Sequence, residues 1–287
     1  TYRTLMAADS AVMVLDASKG VEQQTIKLFK VCLLRDIPIF TFINKMDRES
    51  RHPLDLLSEI EEVLGIDTYP VNWPIGSGKD FKGVYDRDKQ QIIAFSPAAS
   101  HSGKYEAKAT KVDLADSSLK EVIGQSLYQT LVEDVELIEG AGSELDMDRV
   151  RHGKLTPVFF GSALTNFGVE PFLERFLQMT TPPLPRKCDE GEVDPFDADF
   201  SAFVFKIQAN MNKAHRDRVA FMRICSGQFD KSMEVFHVQG NRKLRLSQPQ
   251  HLMAQDREAI EQAYAGDIIG VFDPGVFSIG DTICMPH

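Results

Sequence analysis

The chain has 287 residues, of which 43% are hydrophobic, so it can bury a sizeable core in one large domain or two smaller ones. Its formal charge of -10 argues against a general nucleic-acid coat protein. The four cysteines lie far apart, and no apolar run approaches the roughly 20 residues that a membrane-spanning helix needs. We therefore expect a reduced, cytoplasmic protein without a disulfide framework, a zinc site or a membrane partner.

Strand and helix patterns alternate in the first part of the chain. Residues 10–16 and 39–43 are short apolar runs, typical of strands that are buried on both faces. Residues 23–34 have apolar side chains at helical spacing, and residues 53–64 form a second such segment with proline at its start and Gly65 at its end. This order predicts a parallel sheet covered by helices.

The pattern is different between residues 69 and 154, which we interpret as an insertion in an α/β domain. The sequence predicts a short strand at 91–95, a long amphipathic helix at 116–139 and a further helix at 146–152. The parallel pattern then resumes with a strand at 157–160 and a helix at 169–179.

Prolines after residue 180 end this first domain, which we place at residues 1–185. Residues 186–199 are rich in Asp and Glu and are interpreted as an acidic linker. Apolar residues then recur with a period of two, as at Phe203, Phe205 and Ile207, and glycines separate short strands. Residues 200–287 are therefore predicted to form a small antiparallel β-barrel.

The sharpest motif is Asn44-Lys45-Met46-Asp47, directly after the predicted strand at 39–43. Ligands of doubly wound folds bind at the carboxyl ends of strands. A carboxylate there can accept hydrogen bonds from N1–H and the 2-amino group of guanine, a donor pair that adenine lacks. Asn44 is then available for the base N7, and the stem of Lys45 can cover the ring.

A second candidate loop, Gly161-Ser162-Ala163-Leu164, follows the predicted strand at 157–160. Small residues let the backbone approach a ligand closely. The N–H of Ala163 can donate to guanine O6, and Leu164 can pack on the base. Together the two loops predict a guanine site formed by Asn44, Lys45, Asp47, Ser162, Ala163 and Leu164.

With these motifs in order, the chain resembles the translational GTPases. The resemblance covers the whole chain and includes Val14 to Glu22 before the guanine motif, and Trp73-Pro74-Ile75-Gly76 at the start of the insertion. Within the predicted barrel, the segments 203–211 and 215–223 resemble the release factor 3 group in particular. The resemblance implies a partial P-loop GTPase-type doubly wound domain with an α+β insertion, followed by a translation-factor β-barrel.

The same resemblance implies a role. Proteins of the release factor 3 group bind GTP and GDP, with Mg²⁺ in the intact protein. They act on the ribosome, contact its RNA and proteins, and promote release and recycling of class-I release factors in translation termination. Two alternatives stay open: a GTPase similar to elongation factor G or the ribosomal protection proteins, and a ribosome-binding chain that does not bind nucleotide.

The sequence departs from the family because it has no phosphate-binding G-x-x-x-x-G-K-[ST] motif. Gly78-Lys79 resembles its end, but Trp73 stands where the first Gly belongs and Asp80 replaces Ser or Thr. We therefore interpret the chain as part of a longer GTPase. We assign it no catalytic residue and no Mg²⁺ ligand, expect it to be inactive in GTP hydrolysis, and expect self-association through an exposed sheet edge.

Basic residues cluster in the predicted barrel, although the chain as a whole is acidic. A local basic patch fits contact with phosphate groups of RNA, and a solvated strand face is the alternative. The predicted ribosome contacts are Lys206, Lys213, His215, Arg216, Arg218 and Arg223, with Arg242, Lys243 and Arg245 nearby.

Overall fold

The computed structural model describes residues 2–98, 106–116, 118–141, 144–209, 218–231, 233–253 and 256–286. Contacts between residues divide the chain into two compact units. The α/β unit comprises Ser10–Thr180, and the β unit comprises Thr1–Asp9 together with Thr181–His287.

A four-stranded parallel sheet forms the centre of the α/β unit. Its strands are β1 (Ala11–Asp16), β2 (Ile39–Asn44), β3 (Asp67–Pro70) and β8 (Leu155–Phe160), in the order β1-β2-β8-β3. Every residue of β8 and the first five residues of β2 are buried, which explains their continuous apolar sequence. The parallel sheet predicted from the sequence is confirmed.

Three helices of the α/β unit match their predicted bounds: α2 (Gln23–Leu34), α3 (Pro53–Leu64) and α7 (Val169–Met179). The ends of α3 show why, since Pro53 occupies its first turn and Gly65 caps its end with a left-handed φ of 68°. Among the helices in the described ranges, none is long and apolar enough to cross a bilayer.

In its described residues, the insertion forms an antiparallel sheet and three α-helices. The strands β4 (Asn72–Ile75), β5 (Gly83–Asp86), β6 (Gln91–Ala98) and β7 (Glu106–Asp113) pair in chain order. The helices are α4 (Leu119–Ile123), α5 (Gln125–Gly140) and α6 (Met147–Arg151).

Two boundaries in this region differ from those expected from the sequence. The expected long helix at 116–139 is interrupted at Gly124, whose φ of 90° is incompatible with a right-handed helix. The start of the insertion at residue 69 is two residues early, because Tyr69 and Pro70 pair with Pro157 and Val158 within the parallel sheet.

Buried polar side chains join the insertion to the parallel sheet. Arg87 is almost fully buried and donates to both carboxylate oxygens of Glu139 on α5, at 2.9 and 3.2 Å, and to the carbonyl of Pro70 at 3.0 Å. Trp73 donates its indole N–H to Asp134 at 3.0 Å, and its ring centroid lies 5.6 Å from that of Phe160 on β8. These contacts fix the insertion against the sheet.

The β unit is built from antiparallel strands, as predicted. It begins with the four-residue helix α1 (Tyr2–Leu5), and eight of its strands form one sheet in the order β15-β14-β20-β11-β12-β19-β16-β17. A separate pair, β13 and β18, contributes Phe229 and Ala263 to the same core. The strands from β11 onward are β11 (Ser201–Ala209), β12 (Arg218–Ser226), β13 (Gln228–Asp230), β14 (Glu234–His237), β15 (Arg242–Arg245), β16 (Ser247–Met253), β17 (Asp256–Ala259), β18 (Gln262–Tyr264), β19 (Ile268–Phe272) and β20 (Thr282–Cys284).

The predicted acidic linker is not a featureless segment. Its first part folds into a hairpin of β9 (Arg186–Cys188) and β10 (Gly191–Val193). The acidic residues of this segment correctly indicated that it is exposed. They gave no indication of the strand pair, because three-residue strands are too short to show a recognisable periodicity.

By their contacts, residues 181–185 and the segment before Ser10 group with the β unit, although the sequence-based boundary placed both in the α/β domain at 1–185. The guanidinium of Arg186 donates to the carbonyls of Met6 and Ala8, at 3.0 and 3.1 Å. Arg223 donates to the carbonyl of Ala7 and to the carboxylate of Asp9, the latter at 2.6 Å. Two arginines distant in sequence therefore hold this segment, a contact that local patterns do not reveal.

Candidate guanine site

The two predicted base-binding loops lie side by side. Strands β2 and β8 are parallel neighbours, with Ile43 opposite Phe160. The two loops that follow these strands therefore begin side by side at the carboxyl end of the sheet. The loop beginning at Asn44 follows one strand and the loop beginning at Gly161 follows the other. The topology thus brings together two motifs that are far apart in the sequence.

Asn44 joins the two loops through its side-chain oxygen. Its Oδ1 accepts the N–H of Ala163 at 2.9 Å and the N–H of Lys45 at 2.8 Å. Both partners are backbone donors, which fixes this atom as the oxygen of the amide and leaves Nδ2 as the donor that faces away from them. The N–H of Ala163, predicted to meet guanine O6, therefore bonds to Asn44 in this structure.

A second hydrogen bond between the loops involves Asp47. The hydroxyl of Ser162 donates to Asp47 Oδ1 at 2.5 Å, and the same hydroxyl accepts the N–H of Thr165 at 3.3 Å. Ser162 is fully buried, whereas Asp47 is half-buried. This bond fixes one carboxylate oxygen. The other oxygen, Oδ2, remains able to accept hydrogen bonds from a ligand.

Backbone contacts hold the same two loops together. Gly161 donates to the carbonyl of Ile43 at 3.0 Å, and its own carbonyl accepts the N–H of Met46 at 3.1 Å. A side chain at residue 161 would not fit, because an added Cβ would lie 2.6 Å from the carbonyl oxygen of Phe167 and 2.8 Å from the ring of Phe42. Glycine is required here for close approach of the chains.

Lys45 has an unusual backbone conformation and a specific ionic partner. Its φ is 71°, in the left-handed region that non-glycine residues rarely adopt. Its ammonium group lies 2.8 Å from Oδ2 of Asp16, the last residue of β1. The hydrogen bond from Lys45, followed by those from Ser18, holds the pKa of the Asp16 carboxyl well below its usual range.

Asp16 contacts the predicted site through Lys45 but was not among the residues predicted from the sequence. A signal was available, because Asp16 is a polar residue at the carboxyl end of an apolar strand, as Asn44 is. The remaining predicted side chain, Leu164, is 71% exposed at the surface of its loop. An exposed apolar side chain at this position can close over a bound ring.

The predicted ribosome contacts do not form one exposed patch. Arg223 is buried and bound to Asp9, so its assignment to a contact surface is wrong. Arg218 donates to Asp273 at 2.6 Å and to the carbonyl of Phe277 at 2.8 Å, so it supports the turn after β19. Lys206 is exposed, with its ammonium 5.1 Å from the ring centroid of Phe221.

Six further basic residues complete the set that the sequence suggested. Lys213, His215 and Arg216 fall outside the described residues. Arg242, Lys243 and Arg245 are exposed on β15. Within the described ranges, no group of three or more His, Cys, Asp or Glu side chains has the arrangement of a metal site.

Two family models match the chain in succession. The model described as the elongation factor Tu GTP binding domain matches residues 1–182. The model described as elongation factor G domain 2 matches residues 199–285. Together they account for the α/β part with the two loops and for the antiparallel sheet that follows.

Close relatives extend over almost the whole chain. It is 59% identical to peptide chain release factor 3 of Symbiobacterium thermophilum, a match covering 99% of the chain and 53% of the relative. Identity is also 59% to the proteins of the same name from Cyanothece sp. and Nostoc punctiforme, over 99% of the chain and 52% of each relative. The chain thus spans about half the length of the curated relatives that it matches.

A solved structure supports the fold alone. The crystal structure of a Thermus thermophilus protein designated ttk003000868 matches with a TM-score of 0.72 and 22% sequence identity. The match covers 100% of this chain and 42% of that one.

Proposed function

Since the chain belongs to the translational GTPases that carry the elongation factor Tu GTP-binding domain, we propose that its two loops recognise the guanine base of GTP and GDP. The observation that carries this proposal is the pair of hydrogen bonds from Ala163 to Asn44 and from Ser162 to Asp47. The residues assigned to the base are Asn44, Lys45, Asp47, Ser162, Ala163 and Leu164.

Asp47 supplies the selectivity for guanine. Its Oδ1 is held by Ser162, so the carboxylate is fixed with its acceptor oxygens at the edge of the site. A fixed carboxylate accepts both N1–H and the 2-amino group of guanine, whereas adenine offers an acceptor at N1 and leaves the carboxylate unpaired. Adenine binding would therefore place two acceptors against each other.

Asn44 and Ala163 complete the recognition of the base. The Oδ1 of Asn44 accepts hydrogen bonds from two backbone N–H groups. Its Nδ2 group is therefore the one that donates to guanine N7. The N–H of Ala163 either shares its hydrogen bond between Asn44 and guanine O6 or redirects it to O6. Because the loops are already joined, little ordering is needed when the base binds.

We further propose that the complete protein is a ribosome-dependent GTPase that acts in translation termination. The support is the identity of 59% over 99% of the chain to proteins named peptide chain release factor 3. Recycling of class-I release factors, a cytoplasmic location and Mg²⁺ bound with GTP belong to the same proposal. Contact with ribosomal RNA would use Lys206 together with Arg242, Lys243 and Arg245, which are exposed and basic.

Replacement of Asp47 tests the proposed base site. In Asp47→Asn the amide can donate to the 2-carbonyl of xanthine but opposes the 2-amino group of guanine with its own NH₂. We expect affinity of the complete protein for GDP to fall about 100-fold and affinity for xanthosine diphosphate to rise. The measurement is competitive displacement of a fluorescent nucleotide.

Asp55→Asn is the matched control, because Asp55 is an exposed carboxylate in the first turn of α3 and should leave both affinities unchanged. If Asp47→Asn retained its preference for GDP over xanthosine diphosphate, Asp47 would not be the base-reading residue and the proposed site would be wrong.

A further inference from the structure

We propose that Asp16, which lies outside both guanine loops, is a positioning residue of the base site. Its carboxylate fixes the ammonium of Lys45, so that the methylene stem of Lys45 forms a preset wall for the purine ring. This inference rests on the proposed function, because it assigns a role within the same nucleotide site.

The first support is the geometry of the ion pair. Asp16 and Asn44 are register partners at the carboxyl ends of β1 and β2, so the carboxylate lies beside the start of the guanine motif. Its Oδ2 meets the ammonium of Lys45 at 2.8 Å. The Asp16 side chain is only 12% exposed, so solvent screens this pair less than it screens an ordinary surface pair.

The second support is that the carboxylate cannot rotate freely. Its Oδ1 accepts both the N–H and the hydroxyl of Ser18, at 2.9 and 2.7 Å. The N–H of Gly20 bonds to the Asp16 carbonyl at 2.8 Å and closes the turn around it. Asp16 is therefore an anchored acceptor rather than a flexible counterion.

The third support is the backbone of Lys45. A lysine at a φ of 71° costs conformational energy, and such positions persist where the surrounding structure holds them and commonly serve a site. Two hydrogen bonds hold this residue: its N–H donates to Asn44 Oδ1, and its ammonium donates to Asp16. The residue is thus fixed at both ends while its side chain remains 43% exposed for contact with a ligand.

A lysine stem that is already positioned should affect how tightly a nucleotide binds but not which purine base is preferred. The stem contacts the face of a purine ring and does not read its edge, so it should support guanine and hypoxanthine equally. Without Asp16, the long Lys45 side chain would be mobile and would have to be ordered when nucleotide binds. Loss of Asp16 should therefore weaken binding without changing base selectivity, which Asp47 controls.

The test compares Asp16→Asn, Lys45→Met and the double variant in the complete protein. Affinities for GDP and inosine diphosphate are measured by calorimetry, together with the melting temperature of each variant. We expect Asp16→Asn to bind both nucleotides about 5- to 30-fold more weakly at an unchanged ratio. The double variant should be no weaker than the weaker of the two single variants, because both changes remove one interaction.

Lys19→Met is the matched control, since Lys19 is an exposed lysine in the same turn, 3.7 Å from Glu22, and should leave both affinities unchanged. Wild-type affinity in Asp16→Asn, or effects of the two single changes that multiply in the double variant, would overturn the proposal. If Asp16→Asn does not fold, Lys45→Met decides, because it leaves the bonds of Asp16 to Ser18 intact; wild-type affinity of Lys45→Met would overturn the proposal. Failure of the wild-type protein to prefer GDP over ADP would instead refute the guanine site itself.

Discussion

At the scale of single residues, buried arginines fix parts of the chain that are distant in sequence. Arg223 is 2% exposed and bridges Asp9 and the carbonyl of Ala7, which belong to the opposite end of the chain. Arg87 does the same for Glu139 and Pro70 within the α/β unit. Removing one partner of a buried pair leaves an uncompensated charge, which costs far more than losing a surface pair.

Arg223→Gln should destabilise the protein by about 1–3 kcal/mol, because the carbonyl of Ala7 and one oxygen of Asp9 would lose a buried donor, while Arg186 still contacts the other oxygen of Asp9 at 3.3 Å. The measurement is the free energy of unfolding in urea. Arg242→Gln is the control, since Arg242 is exposed on β15, and it should change the free energy by less than about 0.5 kcal/mol. An equal, small effect of both changes would show that the buried pair contributes little.

The residues of the guanine motif were predictable because they are consecutive and follow a strongly apolar strand. Asp16 was not predicted, because its contact with Lys45 depends on the pairing of β1 with β2, which the sequence pattern does not reveal. Arg223 was misassigned for a similar reason. Its basic side chain and place in a strand fit a surface patch equally well, and only the buried contact with Asp9 distinguishes the two.

At the scale of elements, the site depends on how closely the loops after β2 and β8 approach. Gly161→Ala should disturb this approach, because its Cβ would lie 2.6 Å from the carbonyl of Phe167. We expect a loss of about 1–3 kcal/mol in the free energy of unfolding and weaker GDP binding.

Gly140→Ala is the matched control for this change. Gly140 ends α5, and no heavy atom lies within 4 Å of a Cβ added there. This substitution should leave GDP binding unchanged and stabilise the helix by up to about 1 kcal/mol. Wild-type GDP affinity in Gly161→Ala would contradict the requirement for close approach of the two loops.

The helices of the α/β unit were predictable to the residue where caps and breakers are strong, as at Pro53 and Gly65. The same local rules did not locate β3, because Thr68 and Tyr69 become a strand only through pairing with β8. Gly124 lies within a continuous amphipathic pattern, and its left-handed φ, rather than the pattern, ends α4. Sequence patterns thus specify elements well and pairings poorly.

At the scale of the whole molecule, the described part of the sheet leaves β1 at an edge. In that part β1 pairs with β2 alone, and Val12 and Val14 on β1 are 39% and 57% exposed. An apolar edge strand favours pairing with another chain. We propose that residues 1–287, when expressed alone, self-associate through β1.

Sedimentation at increasing concentration tests this proposal. We expect dimers or larger species at high concentration, reduced by Val14→Lys because a lysine on the edge is solvated and repels a second copy. Val63→Lys is the control, as Val63 is an exposed valine on α3. A monomer at every concentration would argue against association through β1.

Recognition of guanine by the loops after β2 and β8 is tested most directly by a calorimetric titration of the complete protein with GDP and with ADP. We expect binding of GDP and at least about 100-fold weaker binding of ADP, because Asp47 and Asn44 are held in position to bond to the edge of guanine. Equal affinity for the two nucleotides, or no binding of GDP, would show that these loops do not recognise guanine.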